Sequence, residues 1–95
     1  MPTIEEIKEK TKSIFMLYPV NKVSLFGSYA KGTQNEKSDI DFLINVSDMS
    51  FLTFAKLKED LSIALNIKVD LVTDTELSDV FRFLIKDDEV IIYEK

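Results

Sequence analysis

The stretch LFGSYAKGTQNEKSDIDFLI, from Leu25 to Ile44, decides the fold of this chain. An apolar segment stops at Gly27, a polar stretch follows, and a second apolar segment then begins with two carboxylates, Asp39 and Asp41. A chain of 95 residues builds one small core, so we expect most strand positions next to that core to be apolar. Two aspartates in such a strand therefore need a physical reason.

Composition limits the chemistry available to the chain. An apolar fraction of 45% suits a globular fold, and we expect a single domain over residues 1–95. The sequence has no cysteine, which excludes disulfides and thiolate metal sites, and no histidine, the commonest general base. The net charge of -5 argues against a broad nucleic-acid-binding surface. Any catalysis must therefore use carboxylates, hydroxyls, lysines and backbone amides.

The sequence also gives an expectation about the compartment. No apolar segment approaches the roughly 20 residues that a membrane-spanning helix needs. The N-terminus is acidic and lacks the apolar core of a signal peptide. We therefore expect a cytoplasmic protein with no membrane partner.

Apolar spacing predicts helices that alternate with strands. The helices are expected over residues 2–18, 50–66 and 76–86, and the strands over 22–26, 39–46, 67–73 and 89–94. Thr3 and Glu6 predict a capping box, and Ser50 and Asn66 predict the two ends of the second helix. The alternation predicts an α/β (α+β) fold, a small mixed sheet of about four strands with helices packed mainly on one face. It does not predict the order of the strands.

Alternation along two strands places three carboxylates on one face, provided that the apolar residues of both strands pack against the helices. Apolar residues take the even positions of 39–46, which leaves Asp39 and Asp41 on the other face. They take the odd positions at the start of 67–73, which leaves Asp70 on the other face. Carboxylates held this close repel one another and raise each other's pKa values, and a divalent cation relieves that repulsion. Oxygen ligands alone suit Mg²⁺ or Mn²⁺, completed by water and substrate phosphates.

The Gly-Ser pair between the strands predicts a phosphate-binding turn. Gly27 ends a strand and lets the backbone turn tightly and approach a ligand. Ser28 offers a hydroxyl and an amide, and the segment SYAK can open a short helix with amides that point at an anion. Lys31 adds a positive charge, and Gly32 releases the chain into a polar stretch. We therefore expect Gly27, Ser28 and Lys31 to hold phosphates next to the metal.

These motifs resemble a known family. Gly27-Ser28, followed after ten residues by Asp39-x-Asp41, is similar to the signature of the DNA polymerase beta-like nucleotidyltransferase superfamily. Asp70, in the segment KVDLVT, looks like the third carboxylate of that superfamily. The chain length, the helix before the first strand and the ending VIIYEK resemble the minimal nucleotidyltransferases (MNT), which pair as antitoxins with HEPN toxins. Lys31 stands where many members have arginine. Its ammonium would contact a phosphate as a point charge rather than through the paired donors of a guanidinium.

The resemblance implies a nucleotidyltransferase fold and an activity. AMP would pass from ATP to a hydroxyl, expected to be that of a tyrosine, on a partner HEPN toxin in a hetero-oligomer. Asp39 and Asp41 would bind two ions of Mg²⁺ or Mn²⁺. Asp70 would complete the site of the catalytic ion and help to deprotonate or orient the acceptor hydroxyl. Because the chain spends nearly all its residues on sheet and helices, we expect a shallow acceptor surface or one supplied by another chain.

Plainer interpretations of the same residues stay open at this point. Asp39 and Gly27 are both common in ordinary turns, and Lys31 is typical of a solvated surface. Tyr29 is expected to pack beneath the loop rather than to stack on a base, and Phe83 either completes the core or belongs to a partner surface. The alternative function is a non-catalytic antitoxin that neutralises its partner by complex formation. Transfer to a nucleic-acid end is a minor alternative because the chain is acidic.

Overall fold

The computed structural model describes residues 2–32, 39–76, 78–85 and 89–95, without the side chains of Ser28, Lys31, Glu76, Leu84 and Ile85. The helices are α1 (Ile4–Met16), α2 (Gly27–Lys31), α3 (Phe51–Leu65) and α4 (Asp79–Ile85). The strands are β1 (Val20–Phe26), β2 (Ile40–Val46), β3 (Val69–Thr73) and β4 (Val90–Glu94). A short 3₁₀ helix, Asp74–Glu76, lies between β3 and α4. In these ranges no helix is both long enough and apolar enough to cross a bilayer.

The four strands form one mixed sheet in the order β3-β2-β1-β4. β1 is antiparallel to both of its neighbours, β2 and β4. β2 and β3 are parallel and are joined through α3. The predicted mixed sheet is confirmed, and the strand order, which the sequence left open, makes the two aspartate-bearing strands direct neighbours.

Helices α1 and α3 cover one face of this sheet. The predicted alternation is confirmed, because the apolar positions of β2 and β3 are buried beneath the helices while Asp41 and Asp70 are not. The Phe15 ring of α1 meets the Phe42 ring of β2 edge-on, with centroids 5.8 Å apart. The buried core consists of Ile7, Phe15, Val20, Val23, Leu25, Tyr29, Ile40, Phe42, Ile44, Leu57, Leu61, Leu65, Val69 and Leu71.

Local chemistry sets the ends of the two long helices as predicted. The Thr3 hydroxyl accepts a hydrogen bond from the Glu6 amide at 3.1 Å, and the Glu6 carboxylate in turn accepts from the Thr3 amide. The Ser50 hydroxyl accepts from the Thr53 amide at 3.2 Å. Asn66 ends α3 in the left-handed conformation, with φ of 54°. Each cap satisfies backbone groups that the helix leaves without intrahelical partners.

The last helix differs from its prediction. The pattern over residues 76–86 predicted one helix with an apolar side made of Leu77, Val80, Phe81, Leu84 and Ile85. Leu77 and the side chains of Leu84 and Ile85 lie outside the described part, and Val80 is 70% exposed. The ring of Phe81 packs edge-on against that of Phe26, with centroids 6.1 Å apart, and this contact sets the rotation of α4. Phe83 is also 70% exposed, so it does not complete the core. Because Phe26 is on the face away from α1 and α3, α4 lies on that face.

Candidate active site

Strand register brings the predicted carboxylates together. Asp41 of β2 and Asp70 of β3 are paired residues of adjacent parallel strands, so their side chains point to the same face. Adjacent strands are about 4.8 Å apart, which places these two carboxylates side by side. Asp39 precedes β2 and lies two residues from Asp41, on the same face. We call this the carboxylate face, made of Asp39, Asp41 and Asp70, and it is opposite the helix-covered face.

The central carboxylate of this face is electrostatically unfavourable. The pKa of Asp41 is raised above its usual value, first because the group is partly buried, and then because Asp70 and Asp39 repel its charge. A group in this position favours a proton or another cation beside it. The repulsion predicted from the alternation pattern is therefore present at Asp41.

The two outer carboxylates each have a lysine partner that the sequence interpretation missed. The Lys58 ammonium, from α3, lies 3.9 Å from Asp70 Oδ1. The Lys68 ammonium lies 3.9 Å from Asp39 Oδ2. Alternation already put Lys68 on the face of Asp70, so that pair had a signal in the sequence. Lys58 had none, because its approach depends on how α3 packs beside the sheet.

The glycine of the predicted phosphate turn touches the carboxylate face directly. Gly27 follows β1 and has a φ of +73°, a conformation that side chains disfavour. A Cβ atom at this position would overlap Oδ2 of Asp41. Register agrees, because Phe26 is the residue of β1 that pairs with Asp41. A residue with a side chain at position 27 would therefore have a strained backbone and would have to displace the Asp41 carboxylate.

The rest of the turn is only partly described. Ser28 and Lys31 belong to α2, as the segment SYAK predicted, but their side chains lie outside the described part, so their phosphate contacts stay predictions. Tyr29 is 1% exposed, which confirms packing rather than base stacking. Its hydroxyl has no hydrogen-bond partner among the described residues, and burial raises its pKa.

A polar network continues along the same face and connects it to α4. The side-chain Nδ2 of Asn21 donates to Oδ1 of Asn45 at 3.0 Å, and the side-chain Nδ2 of Asn45 donates to Oδ2 of Asp74 at 2.7 Å. The Arg82 guanidinium donates to the backbone carbonyl of Asp74. These bonds connect α4, through Asp74, to β2, the strand that carries Asp41.

The donor chemistry of the carboxylate face fits a hard divalent cation. All of its ligand atoms would be oxygens, its central group is destabilised by its neighbours, and the absence of a Cβ on Gly27 leaves the Asp41 carboxylate unobstructed. The side chains do not yet converge: within the described ranges, no three Asp, Glu, His or Cys side chains are close enough to hold one ion. The residues that would hold it are Asp39, Asp41 and Asp70.

Comparison with known sequences identifies related proteins. Residues 9–95 match the family model described as polymerase beta, nucleotidyltransferase. A candidate protein adenylyltransferase of Methanocaldococcus jannaschii is 40% identical over 82 residues, which are 81% of this chain and 95% of the relative. The protein adenylyltransferase MntA of Thermococcus cleftensis is 35% identical over 82 residues, 81% of this chain and 83% of the relative.

Solved structures share the fold. A chain in the crystal structure of a toxin–antitoxin with AMP-PNP superposes with a TM-score of 0.79 at 26% identity, over 93% of this chain and 73% of that one. A candidate minimal nucleotidyltransferase superposes with a TM-score of 0.81 at 27% identity, over 94% of this chain and 95% of that one. The predicted nucleotidyltransferase fold is confirmed.

Proposed function

This chain belongs to the polymerase beta-type nucleotidyltransferase family, and on that premise we propose that it transfers AMP from ATP to a tyrosine hydroxyl of a partner toxin of the HEPN class. In doing so it acts as the antitoxin of the pair, in the cytoplasm, where ATP is supplied. Relatives named protein adenylyltransferases support the reaction, and a neighbour described as a toxin–antitoxin with AMP-PNP supports the partner and the nucleotide.

The observation that carries this proposal is the pairing of Asp41 with Asp70 across two parallel strands, with Asp39 beside them. Rigid strands fix the backbone positions of the three aspartates before any substrate arrives, which limits reorganisation to their side chains. A purely structural surface gains nothing from three like charges in this arrangement, because each raises the free energy of the others.

The three carboxylates have different roles in the proposed reaction. Asp39 and Asp41 would bind Mg²⁺ or Mn²⁺, with Asp70 as the third ligand, and the bound ions would supply positive charge for the attacking and leaving oxygens. Asp70 also accepts the proton of the acceptor hydroxyl or orients that hydroxyl. The oxygen of the acceptor hydroxyl then bonds to the α-phosphorus of ATP. The bond from that phosphorus to the oxygen that bridges it to the β-phosphorus breaks, and pyrophosphate leaves.

The turn after β1 would hold the leaving phosphates. Gly27 allows the backbone to come close to them, and the Ser28 hydroxyl and the Lys31 ammonium would contact the β- and γ-phosphates. A hydrogen bond from Ser28 to a charged phosphate would contribute about 1.5–3 kcal/mol. Because α2 follows directly from the strand that pairs with β2, the phosphates would lie beside the metal ligands.

Intact-protein mass spectrometry of the partner tests the proposal. The purified pair is incubated with ATP and Mg²⁺, and we expect the partner to gain the mass of one or more AMP groups. Asp41→Asn should abolish the gain, since it removes the central ligand. Asp48→Asn is the matched control, because Asp48 is exposed and has no ion pair among the described residues. Fragmentation of the modified partner then identifies the acceptor side chain.

The alternative is a non-catalytic antitoxin that inhibits its partner by covering it. The same experiment separates the two functions. If the wild-type protein adds no mass yet still inhibits the partner, and Asp41→Asn inhibits it equally well, the binding function is correct and the transfer proposal is wrong.

A further inference from the structure

Two lysines approach the carboxylate face from different parts of the chain. Lys68 immediately precedes β3, and its backbone carbonyl accepts the Ile40 amide at 3.1 Å, which places it across from Asp39. Lys58 comes from α3, a helix that covers the opposite face of the sheet, and reaches Asp70 on the outermost strand. Each lysine therefore pairs with one outer carboxylate, and neither pairs with Asp41.

The three carboxylates share a face but, among the described residues, do not form a ligand set for one ion. Asp39 and Asp41 are two residues apart and Asp70 is the register partner of Asp41, so the backbone places all three close together. Nevertheless, no triad of potential ligand side chains in the described ranges is close enough for one ion. Instead, the Asp70 carboxylate lies 3.9 Å from the Lys58 ammonium, and the Asp39 carboxylate lies 3.9 Å from the Lys68 ammonium.

We propose that Lys58 and Lys68 are positioning residues that hold Asp70 and Asp39 apart from Asp41 until a divalent cation displaces them. The inference rests on the proposed function, since it concerns the same metal site. In the metal-free protein the lysine charges offset the repulsion among the carboxylates. When a cation binds, the carboxylates turn toward it and the two ammonium groups, which are 44% and 76% exposed as side chains, move into water.

The inference has a functional consequence. A free divalent cation has to compete with two resident positive charges, so it binds weakly on its own. A metal ion that arrives with the triphosphate of ATP brings negative charge to the same place, and the displaced ammonium groups then have phosphate oxygens as new partners. The protein would therefore bind its metal together with the nucleotide rather than before it.

The test measures two quantities that should move in opposite directions. Lys58→Met, Lys68→Met and the double variant are titrated with Mn²⁺ without nucleotide, by electron paramagnetic resonance, and their thermal midpoints are measured in EDTA. Each substitution should tighten Mn²⁺ binding about threefold to tenfold, as expected for one unit charge near a divalent ion in a high-dielectric medium. Each should also lower the metal-free midpoint by about 1–6 °C, as expected for losing an exposed ion pair in a small domain.

Matched variants isolate the charge. Lys58→Arg and Lys68→Arg keep the positive charge and should behave like the wild type in both measurements. Lys56→Met removes the same charge from α3 at a position with no ion pair among the described residues, and should leave Mn²⁺ affinity unchanged. A lysine with a merely structural role would lower stability and weaken metal binding together.

The outcomes separate this inference from the proposed function. Tighter Mn²⁺ binding and lower metal-free stability in the lysine variants support the inference. A second outcome overturns the inference but supports the metal site. In it, Asp41→Asn abolishes Mn²⁺ binding, while the lysine substitutions leave the Mn²⁺ affinity unchanged or weaken it. If even the double variant binds no Mn²⁺ without nucleotide, the inference is wrong, while the proposed function is still judged by the AMP-transfer experiment.

Discussion

At the scale of single residues, Gly27 lies directly beside the Asp41 carboxylate. The glycine adopts a left-handed conformation, with φ of +73°, and leaves no room for a Cβ beside the carboxylate. Gly32, at the other end of the turn, has nearly the same φ, +74°, but nothing lies within 4 Å of its missing Cβ. The two glycines thus share a backbone requirement and differ in one steric contact, which allows the contact to be measured.

Substituting each glycine by alanine should separate backbone strain from crowding. Gly32→Ala should lower the free energy of unfolding by about 1–2 kcal/mol, the cost of a left-handed alanine. Gly27→Ala should cost about 1–3 kcal/mol more, because the new Cβ must displace the Asp41 carboxylate. Urea unfolding at neutral pH gives both values. Equal losses would show that the carboxylate moves aside freely and that Gly27 is an ordinary turn glycine.

Residue-level prediction from the sequence succeeded where a short pattern was enough. Period-two alternation identified the face of Asp39, Asp41 and Asp70, and only the register of β2 with β3 was needed to make them neighbours. Lys58 could not be found this way. Its contact with Asp70 is made between a helix and the edge strand of the sheet, and no spacing in the sequence records that approach.

At the scale of elements, the contact between α1 and α3 includes one strong polar bond. Tyr18, just after α1, donates its hydroxyl to Asp60 Oδ2 of α3 at 2.6 Å. Burial, together with this bond and the charge of Asp60, raises the pKa of Tyr18 to about 12. A phenol whose pKa is raised in the folded state keeps its stabilising bond below its unfolded pKa of 10.0 and loses it as the pH rises toward 12.

Tyr18→Phe tests this bond between the helices. At pH 7 the variant should lose about 1–2 kcal/mol of unfolding free energy, toward the lower end for a hydrogen bond to a charged group because the site is only partly buried. Between pH 10 and pH 12 the wild type should lose this advantage, and the two proteins should converge in stability. Urea unfolding at pH 7, 9 and 11 measures the difference. A constant difference across that range would contradict the assigned bond.

At the element scale, the sequence predicted the features that depend on local chemistry, but not those that depend on packing between distant residues. The caps at Thr3, Ser50 and Asn66 depend on neighbours within a few residues, and all three were predicted. The rotation of α4 was not, because the contact of Phe81 with Phe26 joins residues far apart in the sequence. Apolar spacing alone put Val80 on the inner side, where the structure does not have it.

At the scale of the whole molecule, the strand order brings the Gly-Ser turn and the aspartates of β2 and β3 into one site. The order β3-β2-β1-β4 puts β2 at the centre, between the strand that carries Asp70 and the strand that leads into the phosphate turn. Helices α1 and α3 cover one face, and the other carries the polar groups of the site together with the contact of α4 at Phe26. We propose that this face performs AMP transfer, with Asp70 acting on the acceptor hydroxyl.

The most direct test compares the wild type with Asp70→Asn in single-turnover transfer of AMP to the partner, followed by intact mass. ATP affinity is measured in parallel by calorimetry with Mg²⁺, and Asp48→Asn serves as the matched loss of a carboxylate. Asp39 and Asp41 still hold the nucleotide, so affinity should largely survive, while the transfer rate should fall by at least about 100-fold, as when a positioned acid–base group is lost. Transfer by Asp70→Asn at the wild-type rate would contradict the role of the carboxylate face.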